Sequence, residues 1–309
     1  MTVRTESIGE AAFEAMAADR SYGKQFALRQ LDLTVPNGAF LLLVGANGAG
    51  KTTLLQLWLD LLAPTGGAVR AFGLDPARHG GVVRAQIGYV PETGEWPFGA
   101  MRLGQVLAQH AAYRTTWDTA YAERLCQALD LRLDRRVRAL SKGEFRRAQL
   151  VCALAHRPRA LILDEPTDGL DPLIRSRVQE LLAGHLADSP ATVIVSTHQV
   201  HEMNTLADRV AVLHRGQLVE AMTTEELHAT VRQILFVRSG GPPPLAGAPI
   251  RIVRQESRAS EHRWTVVGDV SEAIAWLRTT GAEVVEERAM DFEEAAVVLL
   301  AASAATEAA

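Results

Sequence analysis

The sequence predicts an α/β protein whose core is a mostly parallel sheet, with a helical insert and a small C-terminal α+β appendix. Three observations favour this class. Strand-like apolar runs alternate with helix-like patterns between residues 40 and 207. Two of the runs, Phe40–Val44 and 160–163, are apolar throughout, as strands covered on both faces require. A glycine-rich segment joins the first run to a helix-periodic stretch, which is the context of a phosphate-binding loop.

The segments before the glycine loop are the least regular. Residues 1–18 are predicted to be a helix-prone or frayed lead-in, and residues 25–35 alternate as a strand. Pro36, Asn37 and Gly38 then make a turn into the strand Phe40–Val44.

After the loop, strands and helices alternate in the order expected of an α/β sheet. Strands are predicted at 68–72 and 87–90, and residues 91–97 form a loop. The region 102–131 is predicted to be helical with a break at Trp117 and Asp118, and further helices are predicted at 144–155, 172–186 and 200–207. Strands are predicted at 160–163 and 191–196, and a hairpin is formed by 210–213 with 217–220.

A proline- and glycine-rich stretch at 240–247 interrupts this pattern and indicates a linker. Beyond it, strands are predicted at 250–253, 264–267 and 283–287, and helices at 271–280, ended by Gly281, and at 292–302. We therefore divide the chain into residues 1–238, with a helical subdomain at about 93–158, and residues 239–309.

Composition narrows the function classes. The net charge of −4 offers no basic excess for nucleic acid, so no nucleic-acid partner is expected. Cys126 and Cys152 lie in helix-like apolar patterns and are predicted to be core thiols in a reducing compartment. The first residues show no apolar signal-peptide core, and no run of about 20 apolar residues is present, so neither secretion nor a membrane span is expected.

Residues 45–53, with the sequence GANGAGKTT, match the P-loop pattern G-x-x-x-x-G-K-[ST]. Gly45, Gly48 and Gly50 are predicted to give the backbone positive φ angles and a close approach to an anion. Lys51 is expected to reach the β- and γ-phosphates, and the Thr52 hydroxyl to bind Mg²⁺. The candidates for nucleotide binding are Gly45, Asn47, Gly48, Ala49, Gly50, Lys51, Thr52 and Thr53.

A second acidic motif, Asp164 followed by Glu165, ends the apolar run 160–163. Beside a P-loop strand, two carboxylates at this end of the sheet suit metal and water handling. Asp164 is expected to hold Mg²⁺ through water, and Glu165 is the general-base candidate. Without the P-loop, a strand ending in exposed acids would be the default interpretation.

These two motifs, together with residues 140–144 of sequence LSKGE, resemble an ABC-type ATPase subunit over residues 20–235. Residues 140–144 stand where that family carries its L-S-G-G-Q signature. The resemblance implies that Ser141 and Gly143 reach the γ-phosphate of ATP on an opposite subunit, and that ATP and Mg²⁺ are the cofactors. It also implies a second ATPase domain, identical or different, and a separate transmembrane permease, with this chain on the cytoplasmic, inner face of the membrane.

This copy departs from the signature at two positions. Lys142 replaces the first glycine and Glu144 replaces the glutamine. Lys142 adds a positive charge, and Glu144 adds a negative one near an anion unless Arg146 or Arg147 neutralises it. A helix N-cap at Ser141 is the plain alternative for the segment taken alone.

Two further positions match the family where nucleotide and metal are bound. Tyr22 lies where the family keeps an aromatic that stacks on adenine, with Phe26 as the backup and a half-buried strand tyrosine as the alternative. Glu92 stands in the Q-loop where glutamine is usual, and its carboxylate is able to ligate Mg²⁺ or water. A solvated loop acid is the alternative for Glu92.

Asp171 matches the family's D-loop, which couples the two sites across the dimer, and it is also placed to cap the next helix before Pro172. His198 ends a buried strand and matches the switch histidine that contacts the γ-phosphate, although a lone histidine here is more often structural. A metal site of His198 with His201 and Glu202 is disfavoured, because no cysteine or further ligand is nearby.

The resemblance therefore implies an ATP-hydrolysing subunit that drives transport by a separate membrane protein. The appendix resembles those of exporter subunits, on the helix near 271–280 and the Met290, Asp291, Phe292 entry to the last helix. A soluble ABC-type regulator or assembly factor is the alternative. A P-loop small-molecule kinase is a third, which leaves Ser141, Glu165 and His198 without a role.

Overall fold

The computed structural model describes residues 11–94, 96–188, 190–198, 203, 205–245 and 247–306. The strands are β1 (Ala11–Tyr22), β2 (Gln25–Pro36), β3 (Phe40–Val44), β4 (Gly66–Ala71), β5 (Ile87–Val90), β6 (Ala160–Asp164), β7 (Thr192–Thr197), β8 (Arg209–His214), β9 (Gln217–Thr223), β10 (Val231–Val237), β11 (Arg251–Arg258), β12 (Glu261–Val267) and β13 (Glu283–Ala289).

The helices alternate with the central strands, as predicted. They are α1 (Lys51–Trp58), α2 (Pro76–Ala85), α3 (Leu103–Tyr113), α4 (Thr119–Ala128), α5 (Lys142–Leu154), α6 (Pro172–Asp188), α7 (Thr224–Thr230), α8 (Val270–Thr279) and α9 (Phe292–Thr306). A short 3-10 helix covers Val137–Ala139. The sequence patterns missed α2 and α7, which are capped by Asp75 and Thr223 rather than marked by a long apolar period.

The central sheet has the order β5-β6-β7-β3-β8-β9, in which only the β8–β9 pair is antiparallel. The mostly parallel α/β core is therefore confirmed. Strands β3, β6 and β7 are buried along their whole length because helices and a second sheet cover both faces. Since parallel strands end at one edge of the sheet, the residues that follow β3, β6 and β7 meet there.

A second, antiparallel sheet of order β2-β1-β4 packs on one side of the core. Its central strand β1 includes residues 11–18 of the stretch predicted to be a helix-prone lead-in, so that prediction is wrong for residues 11–18. The alanine-rich sequence has helix propensity, but pairing on both edges and burial of Phe13, Ala15 and Ala18 decide the conformation. Residues 1–10 lie outside the described part.

The helical insert consists of α3, α4 and α5. The predicted break at Trp117 and Asp118 is confirmed, since Asp118 caps α4 by accepting from the Tyr121 N–H at 2.8 Å. Leu103, Leu125 and Leu150 are buried inside the insert and belong to the main hydrophobic cluster. This packing sets the insert beside the edge of the sheet where β5 and β6 end.

A third sheet, of order β11-β12-β10-β13, forms the C-terminal unit with α8. Its central strand β10 begins at Val231. The domain boundary predicted between residues 238 and 239 therefore separates β10 from β11, β12 and β13, the other strands of the same sheet. The boundary of the sheet lies before Val231. The alternating segment 231–237 precedes the proline-rich stretch, which is why the linker signal misplaced the division.

The last helix, α9, returns to the first part of the chain. Phe292, Ala295 and Leu299 pack in the same hydrophobic cluster as Val212 and Leu227. The appendix is thus anchored to the central core at both of its ends. No helix in the described residues has the length and apolarity needed to cross a bilayer. Residues 200–202 and 204 of the helix predicted at 200–207 lie outside the described residues, and the described residues 203 and 205–207 are not helical, which corrects the prediction there.

Two buried histidines make stability depend on pH. His156 and His185 are each 1% exposed, and burial lowers the pKa of each to about 4. Their unfolded-state pKa is about 6.5, so between pH 6.5 and 4 the unfolded chain binds protons that the folded chain excludes. Lowering the pH from 7.5 to 5 is expected to cost ~2 kcal/mol per histidine in the free energy of unfolding.

Thermal unfolding at the two pH values, monitored by circular dichroism, measures this effect. His156→Gln and His185→Gln should each reduce the pH dependence of the unfolding temperature, whereas His79→Gln, at an exposed site, should leave it unchanged. An undiminished pH dependence in both buried variants would contradict the assignment.

Candidate active site

The site lies at the edge where three parallel strands end. Val44 of β3 pairs with Thr197 of β7, and Asp164 of β6 pairs with Ser196 of β7. The residues that follow are the P-loop, Glu165 and His198. The topology therefore assembles the sequence-predicted motifs from three distant segments at one place.

The P-loop glycines act for two different reasons. Gly50 has a φ of 104°, as predicted, and it is also the N-cap of α1. Gly45 does not have a positive φ, which corrects the prediction. A Cβ at Gly45 would lie 2.6 Å from the Leu213 carbonyl oxygen, so the position requires glycine because of close packing against β8.

Lys51 is the first residue of α1, directly after the P-loop, and is only 7% exposed. Its Nζ donates to the Gly45 carbonyl at 2.7 Å and lies 3.8 Å from Glu165 Oε1. A buried ammonium needs such partners, because burial without them disfavours the charge. The cation is thereby fixed at the start of α1, where helix N–H groups also favour an anion.

Asp164 is completely buried at the end of β6. Its Oδ1 accepts a short hydrogen bond from the Ser196 hydroxyl. Its Oδ2 has no hydrogen-bond partner among the described residues, although it is buried. An unpaired buried carboxylate oxygen is costly, and a bound cation is the usual remedy.

Glu165 is oriented from two sides. Its Oε1 lies 2.9 Å from His198 Nδ1 and 3.8 Å from Lys51 Nζ. Its backbone has a φ of 48°, and its N–H donates to the Ser196 carbonyl at 3.0 Å. The side chain is 8% exposed, so this carboxylate is nearly withdrawn from bulk water. The arrangement suits a general base that must not rotate away.

A cavity of about 450 Å³ joins these groups. It is lined by Tyr22, Gln25, Phe26, Ala27, Asn47, Gly48, Ala49, Gly50, Lys51, Thr52, Thr53, Glu92, Asp164 and Glu165. Most of the predicted cofactor and metal residues are therefore brought together. Gln25 and Ala27 were not predicted, since they come from β2 and carry no motif.

Both aromatic candidates lie at the rim of the cavity. Tyr22 is 51% exposed and Phe26 is 47% exposed. Arg20 stacks on the Tyr22 ring at 4.6 Å, and Arg29 stacks on the Phe26 ring at 4.8 Å. Tyr22 ends strand β1 and about half of it is exposed, so the half-buried strand tyrosine and the stacking aromatic both remain open.

The signature segment begins α5 and does not line the cavity of its own chain. Ser141 Oγ accepts from the Glu144 N–H at 3.2 Å, and Glu144 Oε2 accepts from the Ser141 N–H at 2.8 Å. Arg135 forms a short ion pair with Glu144, so the neutralising cation is neither Arg146 nor Arg147. The Ser141 N–H and then Arg135 hold the pKa of Glu144 below its ordinary value.

Arg146 and Arg147 instead bind backbone carbonyls. Arg146, 3% exposed, donates short hydrogen bonds to the carbonyls of Pro91 and Glu92. Arg147 donates to the Leu129 carbonyl at 2.5 Å. Arg146 therefore ties the signature helix to the segment that carries Glu92, a link that no sequence pattern predicted.

Asp171 lies outside the cavity as well, with its Oδ1 accepting from the Ile174 N–H at 3.0 Å. Asp171 therefore caps α6, which confirms the prediction that it caps the helix that begins at Pro172. Among the described residues no group of three or more histidine, cysteine or acidic side chains is arranged to hold a metal. His201 and Glu202 lie outside those residues.

The cavity thus presents a fixed cation, loop amides and a helix start for an anionic chain. Beside them stand one carboxylate with a free oxygen and a second one oriented by a histidine. Such a set suits the binding and hydrolysis of a phosphoanhydride with a divalent cation.

The comparisons with known proteins agree with this chemistry. The family model described as ABC transporter matches residues 28–168. The energy-coupling factor transporter ATP-binding protein EcfA2 of Symbiobacterium thermophilum is 35% identical over 283 residues, 86% of this chain and 94% of that protein. The Nod factor export ATP-binding protein I of Paraburkholderia xenovorans is 33% identical, over 77% of this chain and 79% of that protein.

A solved structure supports the same family. The ATP-binding subunit of an ABC transporter superposes with a TM-score of 0.64 at 28% identity, over 70% of this chain and 92% of that one. The alignment with EcfA2 extends nearly end to end in that protein, so the likeness is not confined to the P-loop. The chain therefore belongs to the ABC transporter ATP-binding proteins and is an ATP-hydrolysing subunit of that family.

Proposed function

We propose that the 450 Å³ cavity binds ATP with its triphosphate on residues 45–53 and that Glu165 activates the attacking water. The observation that carries this is the position of Glu165 Oε1, 2.9 Å from His198 Nδ1 and 3.8 Å from Lys51 Nζ. Lys51 neutralises the β- and γ-phosphates, and His198 holds the carboxylate toward the γ-phosphate.

Magnesium is the cation that fits the donor set. The buried Asp164 Oδ2 lacks a partner among the described residues, and oxygen ligands of this kind suit Mg²⁺. Thr52 and Asp164 would hold it, with Glu92 as the third candidate at the rim. When bound, the ion neutralises charge on the phosphate oxygens.

The proposal includes a second ATPase domain. Ser141, Gly143 and Asp171 do not line this chain's cavity, so their family role requires the nucleotide of a facing subunit. Ser141 is the N-cap of α5, and the first turn of a helix is a suitable place for a terminal phosphate. The second domain is either another copy of this chain or a different ATPase subunit.

A separate transmembrane permease completes the proposed assembly, with this chain on the cytoplasmic face of the membrane. Both relatives are named as ATP-binding proteins of transport systems, one of an energy-coupling factor transporter and one of Nod factor export, which supports a transport partner. Export is the direction favoured by the appendix and by the Nod factor export protein.

Co-purification from detergent-solubilised membranes tests this assembly. A tagged chain should bring a hydrophobic protein in stoichiometric amount, and phosphate release should rise when that protein is present. Recovery of the chain with ribosomes or other soluble machinery, and without a membrane protein, would favour the regulator alternative.

Replacement of Tyr22 is expected to weaken ATP binding moderately. Tyr22→Ala removes the ring that is proposed to stack on adenine, and one aromatic stacking contact is worth ~1 kcal/mol. The dissociation constant for ATP should rise about fivefold, while kcat at saturating ATP should change little. Isothermal titration and steady-state phosphate release measure the two quantities.

Phe26→Ala tests the backup ring, and Tyr113→Ala is the matched control, because Tyr113 is 81% exposed and lies outside the cavity. If Tyr22→Ala bound ATP as tightly as the Tyr113→Ala control, the stacking role of Tyr22 would be wrong.

A further inference from the structure

Lys142, one of the two residues that depart from the family's signature, forms an ion pair with the loop after β6. Lys142 Nζ donates to Asp168 Oδ2 at 2.8 Å. This hydrogen bond is the main reason why the pKa of Asp168 lies below its ordinary value. Both side chains remain partly open to solvent, with exposed fractions of 67% and 42%.

Asp168 belongs to the same tight turn as the catalytic carboxylate. The Asp168 N–H donates to the Glu165 carbonyl at 3.2 Å, which closes a turn of four residues. Glu165 is itself in contact with Lys51 and His198. One short hydrogen-bonded turn therefore connects the backbone of Glu165 to that of Asp168.

The two segments also touch beyond the ion pair. Gly169 has a φ of 76°, and a Cβ there would lie 3.2 Å from Lys142 Cδ, so the lysine stem lies across this glycine. A Cβ at Gly143 would lie 3.4 Å from the Gly169 carbonyl oxygen. The start of α5 and the loop after β6 thus pack directly on each other, with the ion pair at their edge.

We propose that Lys142 and Asp168 are a positioning pair that ties the start of α5 to the turn carrying Glu165. Through this pair, the state of the chain's own site sets the position of Ser141 and Gly143 toward the facing subunit. The inference rests on the proposed pairing of two ATPase domains. Neither residue lines the cavity, so neither is assigned a contact with this chain's nucleotide.

The physical effect of the pair should depend on assembly. An exposed ion pair in water contributes little to stability. A second subunit that covers the pair lowers the local dielectric constant and strengthens the attraction between the two charges. If the facing subunit covers the pair, we expect a link that is weak in the isolated chain and stronger in the closed pair of domains.

A double-mutant cycle in the complete transporter tests the proposal. Lys142→Met and Asp168→Asn should each lower kcat about fivefold and bring the Hill coefficient for ATP toward one, the lower range of coupling between sites. The ATP affinity of the isolated chain and its unfolding temperature should be unchanged. The double variant should be no worse than either single one.

The exchanged pair Lys142→Asp with Asp168→Lys separates the link from a direct phosphate contact by the lysine. Restoration of at least half of the parent kcat and Hill coefficient supports the link, whereas failure to restore them overturns it. Asp134→Asn is the matched control, because Asp134 forms a 3.0 Å surface pair with Arg132 at similar exposure. That variant should behave like the parent.

The parent enzyme distinguishes the two possible failures. If the parent shows cooperative hydrolysis but the single variants match it, the positioning role is wrong and the proposed function stands. If the parent shows no dependence of hydrolysis on a second ATPase domain, the proposed pairing fails, and the inference fails with it.

Discussion

Glu165→Gln is expected to lower kcat for ATP hydrolysis by about 10²–10⁴-fold while the dissociation constant for ATP changes by less than about threefold. The amide retains the shape of the side chain but accepts no proton from water. Glu165 is 8% exposed and lies 2.9 Å from His198 Nδ1. The other two carboxylates that line the cavity are Asp164, whose Oδ1 is engaged by Ser196, and Glu92, which is tested as the control.

Steady-state phosphate release and equilibrium ATP binding measure the two parts of this prediction. Glu92→Gln is the matched control, because it removes a carboxylate from the same cavity and restores the residue usual in the family. It should retain hydrolysis within about tenfold of the parent. A Glu165→Gln protein that hydrolyses ATP at the parent rate would contradict the general-base role.

Lys51→Met is expected to weaken ATP binding by up to about 100-fold, since a charge-assisted contact in a buried site contributes up to ~3 kcal/mol. Methionine keeps most of the aliphatic volume, so loss of charge is the main change. The ammonium is 7% exposed and already held by the Gly45 carbonyl at 2.7 Å, so little ordering of the side chain opposes binding.

Lys24→Met serves as the control, because Lys24 is exposed in the turn between β1 and β2. Isothermal titration should show parent-like affinity for the control and no measurable heat for Lys51→Met at the same concentrations. Equal affinity in the two variants would remove Lys51 from the phosphate site.

The sequence predicted the parts of the fold that local pattern decides. Phe40–Val44 and residues 160–163 are apolar without interruption, and both are central strands of the parallel sheet. Residues 11–18 show the limit of this reasoning, because pairing with β2 and β4 overrides an alanine-rich composition. Strand β10 was missed for a similar reason, since its partners β12 and β13 lie after the linker that marked the division.

The candidate site shows the same contrast. Lys51, Asp164 and Glu165 were predictable because each lies in a short motif whose spacing reflects its chemistry. Ser196 was not identified from the sequence as the hydrogen-bond partner of Asp164. The signal was available, because Ser196 lies at the end of β7 and pairs with Asp164 in the parallel sheet. Arg135 was missed as the partner of Glu144, because side-chain direction at the start of α5 is set by tertiary packing.

The measurement that tests the central claim most directly is equilibrium binding of ATP to the purified parent chain, with and without Mg²⁺. We expect one nucleotide to bind per chain in the cavity lined by Lys51, Asp164 and Glu165, and to bind more tightly when magnesium is present. Absence of any magnesium–ATP binding, alone and in the presence of the chain's natural membrane partner, would contradict it.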